Sequence, residues 1–223
     1  MRTVIFDLDG TLADTSGDLI AAANACFRAL GHGDVLDRTH DASTAFRGGR
    51  AMLRLGFTRL GLTGEALEAR VNWEFPALLE YYEAAIDVHT TLYPGAMTTV
   101  ERLLAEGTAV GICTNKPERL AELLLTQLGV RDAFGSMIGA DTLPVRKPEA
   151  APLLEAVARL GGRADRALLV GDTTTDREAA RAAGMPCALV TFGPDGHSVA
   201  DLAPEALLDR FEDLPDVVAR LLP

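Results

Sequence analysis

From residue 96 onward, short apolar runs rich in β-formers alternate with longer segments whose apolar side chains recur every three or four positions. TAVGICT at 108–114, SMIGA at 136–140, RALLVGD at 166–172 and CALVTF at 187–192 read as strands, with a weaker one at 206–208. Helical spacing falls between them, over 95–106, 118–129, 149–161 and 175–184, and again near 214–222. The apolar run VIF at 4–6 opens the chain as one more strand. Strands separated by helix-length crossovers pair in parallel, with right-handed connections and helices on both faces. The expected fold class is therefore α/β, a doubly wound parallel sheet.

Residues 15–88 break this rhythm. They contain no convincing strand, and helices are expected over 18–30, 43–60 and 64–86. Gly31 ends the first, and Trp73, Phe75, Leu78, Leu79 and Tyr82 on the last are expected to form the interior of that unit. The economical division is a core of 1–14 and 89–223 with an inserted all-helical domain over 15–88. Gly-rich phosphate and dinucleotide fingerprints are absent, since GHGD at 31–34 has no third glycine.

The net charge of -11 on 223 residues is spread along the chain, which disfavours nucleic acid or an anionic membrane as partner. Cys26, Cys113 and Cys187 form no C-x-x-C pair, so neither a disulfide framework nor a zinc site is expected. No apolar run reaches the ~20 residues of a membrane span. A strand-like start with no basic region before an apolar one predicts no signal peptide, and hence a cytoplasmic protein.

The chemistry gathers at strand ends. In an open parallel sheet, ligands bind outside the carboxyl ends of the strands. Asp7 and Asp9 end the first strand, Thr114 and Asn115 end 108–114, and Asp172 follows Gly171 at the end of 166–172. Lys147 lies in the loop LPVRKPEA, just before a helix. Three carboxylates cannot all stay ionised together in an apolar setting without a cation. An oxygen-only donor set suits a hard ion, and Mg²⁺ accepts a few carboxylates while keeping waters. Lys147 and Thr114 then fit as ligands of phosphoryl oxygens, with one carboxylate as nucleophile. The four histidines form no triad with a serine motif and are expected at the surface.

DLDGT at 7–11, TN at 114–115, Lys147 in RKP and GDTTTD at 171–176 together resemble the haloacid dehalogenase superfamily of phosphohydrolases. Closer still, the segments at 92–130, 139–161 and 171–186 are similar to the phosphoglycolate phosphatase group. The resemblance implies a Rossmann-like core with a mobile cap, here the inserted domain. It implies Asp7 as nucleophile, Asp9 as general acid and base, and Thr114, Asn115 and Lys147 around the phosphoryl group. Mg²⁺ would be held by Asp7, Asp172 and the backbone carbonyl of Asp9, while Asp176 would support the metal or orient Lys147. Gly10 and Gly171 support these loops, Gly10 by letting the chain turn sharply.

The expected reaction is hydrolysis of a small phosphorylated metabolite, 2-phosphoglycolate first among them, by a monomer or homodimer. Arg47 and Arg50, flanking Gly48 and Gly49, are the candidate readers of a substrate carboxylate. A dehalogenase has no use for Asp9, and a phosphonatase would want a lysine in 15–88, which has none. A hexose-phosphate mutase, a phosphatase for another sugar phosphate, or a catalytically silent binding protein of this fold stay open as alternatives.

Overall fold

The computed structural model describes Met1–Pro223. The chain separates into two compact units, Met1–Ala13 with Leu92–Pro223, and Asp14–Thr91.

The first unit is built on β1 (Thr3–Phe6), β4 (Ala109–Cys113), β5 (Ser136–Ile138), β6 (Ala167–Gly171), β7 (Cys187–Val190) and β8 (Ala206–Leu208), ordered β5-β4-β1-β6-β7-β8. All pairings are parallel, and β1 lies between β4 and β6, with Phe6 level with Ile112 and Val170. Val4, Ile5 and Phe6 are wholly buried. Each such side chain contributes about 1.5–3 kcal/mol on burial, which explains an unbroken apolar run at the sheet's centre. Crossovers α5 (Ala96–Ala105), α6 (Glu118–Gln127), α7 (Ala150–Arg159) and α8 (Thr174–Ala183), with α9 (Leu214–Leu221) at the end, complete this unit. The apolar stripes of α7 and α8 (Leu153, Ala156, Val157, Ala179, Ala180) join Ile5, Leu169 and Leu189 of the sheet in one core.

The strand order decides where a ligand can sit. The chain steps outward from β1 to β4 and β5, then returns to place β6 on the other side of β1. Where successive crossovers leave in opposite directions, a crevice opens at the carboxyl ends of the strands. Here that point lies beside β1 and β6, at Asp7 and Asp172.

The second unit holds α1 (Ser16–Ala29), α2 (Ala42–Ala45), α3 (Gly49–Arg59) and α4 (Gly64–Ala84). The single helix expected over 43–60 is two helices: α2 stops at Ala45, and Gly48, at φ +91°, breaks the helical path just before α3 begins. Two-residue strands β2 (Ala13–Asp14) and β3 (Thr91–Leu92), too short for any periodicity to betray, mark the crossings between the units. His89 and Thr90 belong with the helices because their N–H groups donate to the buried carboxylate of Asp18 at 2.8–3.0 Å. Leu78 and Tyr82 are buried as expected, but Trp73 is 78% exposed and lies outside the interior. α4 buries Val71, Glu74, Leu78 and Tyr82, a stripe of three- and four-residue steps that position 73 misses.

The α1–α3 crossing depends on Gly56, where an added Cβ would stand 2.1 Å from Cζ of Phe27. Phe27 cannot retreat, since its ring packs edge-on against Phe57 at 5.1 Å. Gly56→Ala is expected to destabilise the protein by about 1–3 kcal/mol, the usual cost of overpacking. Thermal unfolding will read this as a Tm loss of roughly 2–4 °C per kcal/mol.

Candidate active site

Beyond Phe6 the backbone stays tied to β6, with the Asp7 N–H donating to the Val170 carbonyl at 2.9 Å. The Asp7 side chain leaves the strand there, and its Oδ1 accepts the Leu8 N–H at 2.7 Å. The chain then folds back on itself: Leu12 and Ala13 both donate to the Leu8 carbonyl, and Gly10 N–H to Ala13. Gly10 makes this turn at φ +82°, a conformation costly for other residues.

The neighbouring strand β6 ends in Gly171 and Asp172. Asp172 is 1% exposed, and its Oδ1 accepts the hydroxyl of Thr11 at 2.7 Å. Its Oδ2 is buried with no hydrogen-bond partner. Such an atom needs an explanation, because leaving it unsatisfied costs free energy. Gly171 is required by its surroundings, since a Cβ there would meet Cβ and Cγ of Asp176 at 2.5 Å. Asp176, in the first turn of α8, is saturated with donors. Its Oδ1 takes Lys147 Nζ at 2.6 Å, and its Oδ2 takes the Thr173 hydroxyl at 2.7 Å and N–H at 3.1 Å.

Lys147 Nζ also lies 3.1 Å from Asp7 Oδ1, so one buried ammonium bridges two carboxylates. Burial pulls its pKa down, but Asp176 and Asp7 outweigh this and the net shift is upward. Lys147 stays charged. Asp7 moves the other way: burial raises its carboxyl to about 6 against the opposing pull of Lys147, with Asp176 and Asp9 adding to the rise. Asp172 is raised well above the usual range, first by burial and then by Asp176 and Asp7.

Thr114 is buried at the end of β4, and its hydroxyl accepts the Lys116 N–H at 3.2 Å. Asn115 Nδ2 donates to the Lys147 carbonyl at 3.0 Å, holding the 147 loop rather than presenting a free amide. The set of residues expected from the sequence lacks Lys116 and Thr11, although each adjoins one of its members. Lys116 Nζ contacts both oxygens of Asp9, at 2.7 and 3.0 Å. Gly193, in the loop after β7, also lies outside the expected set: a Cβ there would stand 2.9 Å from the Gly10 carbonyl and 3.2 Å from Asp172 Cβ.

Arg47 and Arg50 belong to the helical unit, not to the unit that carries these groups. Both are exposed; Arg50 bonds Asn72 Oδ1 and stacks 4.2 Å from the centre of the Phe75 ring. All four histidines are exposed, as expected.

Oxygens of Asp7, Asp172 and Asp176 lie within 4.8 Å of one another. Both Asp176 oxygens and Asp7 Oδ1 are engaged by donors, which leaves Asp172 Oδ2 as the unpartnered buried oxygen of this cluster. An all-oxygen, carboxylate-rich donor set fits a hard divalent ion.

Residues 4–190 match the family model for haloacid dehalogenase-like hydrolases. A phosphoglycolate phosphatase of Xanthomonas campestris is 41% identical over 192 residues, 86% of this chain and 84% of the relative. One from Cereibacter sphaeroides is 36% identical over 223 residues, covering 100% of both. The crystal structure of a predicted phosphoglycolate phosphatase from Haemophilus somnus matches with a TM-score of 0.82 at 25% identity, over 97% of each chain. No helix is long and apolar enough to cross a membrane.

The raised carboxyls tie the stability of the protein to pH. A folded-state pKa above the ordinary 3.8 favours the protonated form on folding, so that stability is present below about 4 and is lost as pH rises through about 6 for Asp7. Asp172→Asn removes one such charge and keeps an acceptor for Thr11. In EDTA at pH 7.5 it is expected to raise Tm by a few degrees, about 1–3 kcal/mol at 2–4 °C each. The gain should vanish at pH 4, where the wild-type carboxyl is protonated. A lower Tm for Asp172→Asn at both pH values would show that its charge is fully compensated without metal.

Proposed function

The chain belongs to the haloacid dehalogenase-like hydrolases and is a phosphatase of that family; from this premise we propose that it hydrolyses a small phosphate monoester, 2-phosphoglycolate, through an aspartyl-phosphate intermediate. The observation that carries the proposal is the partnerless buried Oδ2 of Asp172 within the Asp7–Asp172–Asp176 cluster. Four carboxylates (Asp7, Asp9, Asp172, Asp176) face two ammoniums (Lys116, Lys147) here. One divalent cation balances that charge.

Asp7 and Asp172 would hold Mg²⁺, with the Asp9 carbonyl as a further donor. The ion would supply the charge that keeps both carboxylates ionised and would draw electron density from the phosphoryl oxygens. Asp7 attacks phosphorus in line with the departing oxygen; the bond to that oxygen breaks, and Asp9 passes it a proton. Asp9 then takes a proton from water as that water attacks the phosphoryl group on Asp7, releasing phosphate and restoring the carboxylate. Lys147, fixed by Asp176, supplies positive charge to the phosphoryl oxygens, and Thr114 a hydroxyl. Phosphoglycolate is favoured as substrate because the relatives that match along the whole chain carry that name. Arg47 and Arg50 are the proposed readers of its carboxylate.

Asp7→Asn should fold normally and lose at least ~10³-fold in kcat, because an amide cannot serve as the nucleophile. Phosphate release from phosphoglycolate measures this, and retention of more than a tenth of wild-type kcat would remove Asp7 from that role. EDTA should stop turnover and Mg²⁺ restore it. Alanine at Arg47 or Arg50 should lower kcat/KM for phosphoglycolate by about 10–150-fold, a charge-assisted bond of roughly 1.5–3 kcal/mol. An aryl phosphate, which has no carboxylate, should be nearly unaffected, and equal losses on both esters would exclude these arginines.

A further inference from the structure

Lys116 carries a function that neither its motif nor the family match assigns. Its side chain is 3% exposed, and its ammonium grips both oxygens of Asp9, whose side chain is 18% exposed. The backbone on which it stands is held from two sides. Its N–H donates to Thr114 Oγ1 at 3.2 Å, and its carbonyl accepts the Ala140 N–H at 2.9 Å. Asp9 stands in the turn after β1 and Lys116 in the turn after β4, so the contact joins two carboxyl-end loops across 107 residues of chain.

Withdrawing two charges from water costs several kcal/mol, repaid only with close geometry and further hydrogen bonds. Two such loops could be joined more cheaply by apolar packing. What the pair supplies instead is a fixed place for a carboxylate. An acid that must meet one leaving oxygen has to be held to about 0.5 Å and 10–20°, and contact with both oxygens of Asp9 restrains its position and its plane. We propose that Lys116 is the positioning residue for Asp9, aiming its carboxyl at the leaving-group oxygen rather than binding the transferring phosphoryl group itself. The inference rests on the phosphatase reading above.

Leaving groups separate these roles. An alkoxide departs only with a proton, whereas 4-nitrophenolate departs without one; the phosphoryl group is the same in both esters. The test compares wild type, Lys116→Met and Lys116→Arg with Mg²⁺, measuring release of the first product in a single turnover with enzyme in saturating excess over ester. Lys116→Met should slow glycolate release from phosphoglycolate by about 10²-fold, the cost of a displaced catalytic group. It should slow nitrophenolate release from 4-nitrophenyl phosphate by less than ~5-fold, since that step draws little on acid catalysis. Lys116→Arg, which keeps the charge, should restore most of the glycolate rate and the wild-type preference between the esters, and it covers the case in which the Met variant fails to fold. Matched losses on both esters would make Lys116 a phosphate ligand and overturn the proposal, as would no loss on either. Wild type inert towards both esters would instead defeat the phosphatase reading.

Discussion

Burying carboxylates at the end of a central strand is the constraint around which this structure is arranged. β1 is fully enclosed, and the residue that follows it is an acid whose pKa burial raises to about 6. Asp172 suffers the same penalty one strand away. A structure that places such groups together must bring compensating charge and donors. It does so through Lys147 between Asp7 and Asp176, through Lys116 on Asp9, and through Thr11 on Asp172. One oxygen of this cluster, Oδ2 of Asp172, stays buried without a hydrogen-bond partner.

The sheet order turns that local cost into a site. With β4 and β6 on either side of β1, three loops arrive at one edge, and each brings a distinct chemistry. The β1 loop carries Asp7 and Asp9, the β4 loop Thr114 and Lys116, and the β6 loop Asp172 with Asp176 behind it. Glycines allow these loops to close on one another: Gly171 lets Asp176 approach, and Gly193 lets the β7 loop reach the turn at Gly10. The charges gathered at this edge are those that folding least favours, since each is an ionisable group withdrawn from water.

The helical unit is a different kind of object. It is held by close helix crossings at Gly49 and Gly56 and by Asp18, whose carboxylate secures the returning chain at His89 and Thr90. Trp73, Arg47 and Arg50 are exposed on that unit, whereas the buried carboxylates of the sheet belong to the other.

Strand and helix periodicity, the parallel α/β fold and the stationing of Asp7, Thr114, Asp172 and Lys147 at loop edges were all legible in the chain, because each depends on residues within a few positions of one another. Gly10 was legible too, since a turn straight after a strand needs a residue tolerant of positive φ. The break at Gly48 and the exposure of Trp73 were not: periodicity counts apolar residues but does not say which side of a helix has a neighbour. Nor were the pairings of Lys116 with Asp9 and of Thr11 with Asp172, separated by 107 and 161 residues. Only the winding of the sheet decides which loops meet, and so which charge answers which. Local sequence determined what each strand end offers; the tertiary structure decided the partners, because an ion pair is set by distance in space and not along the chain.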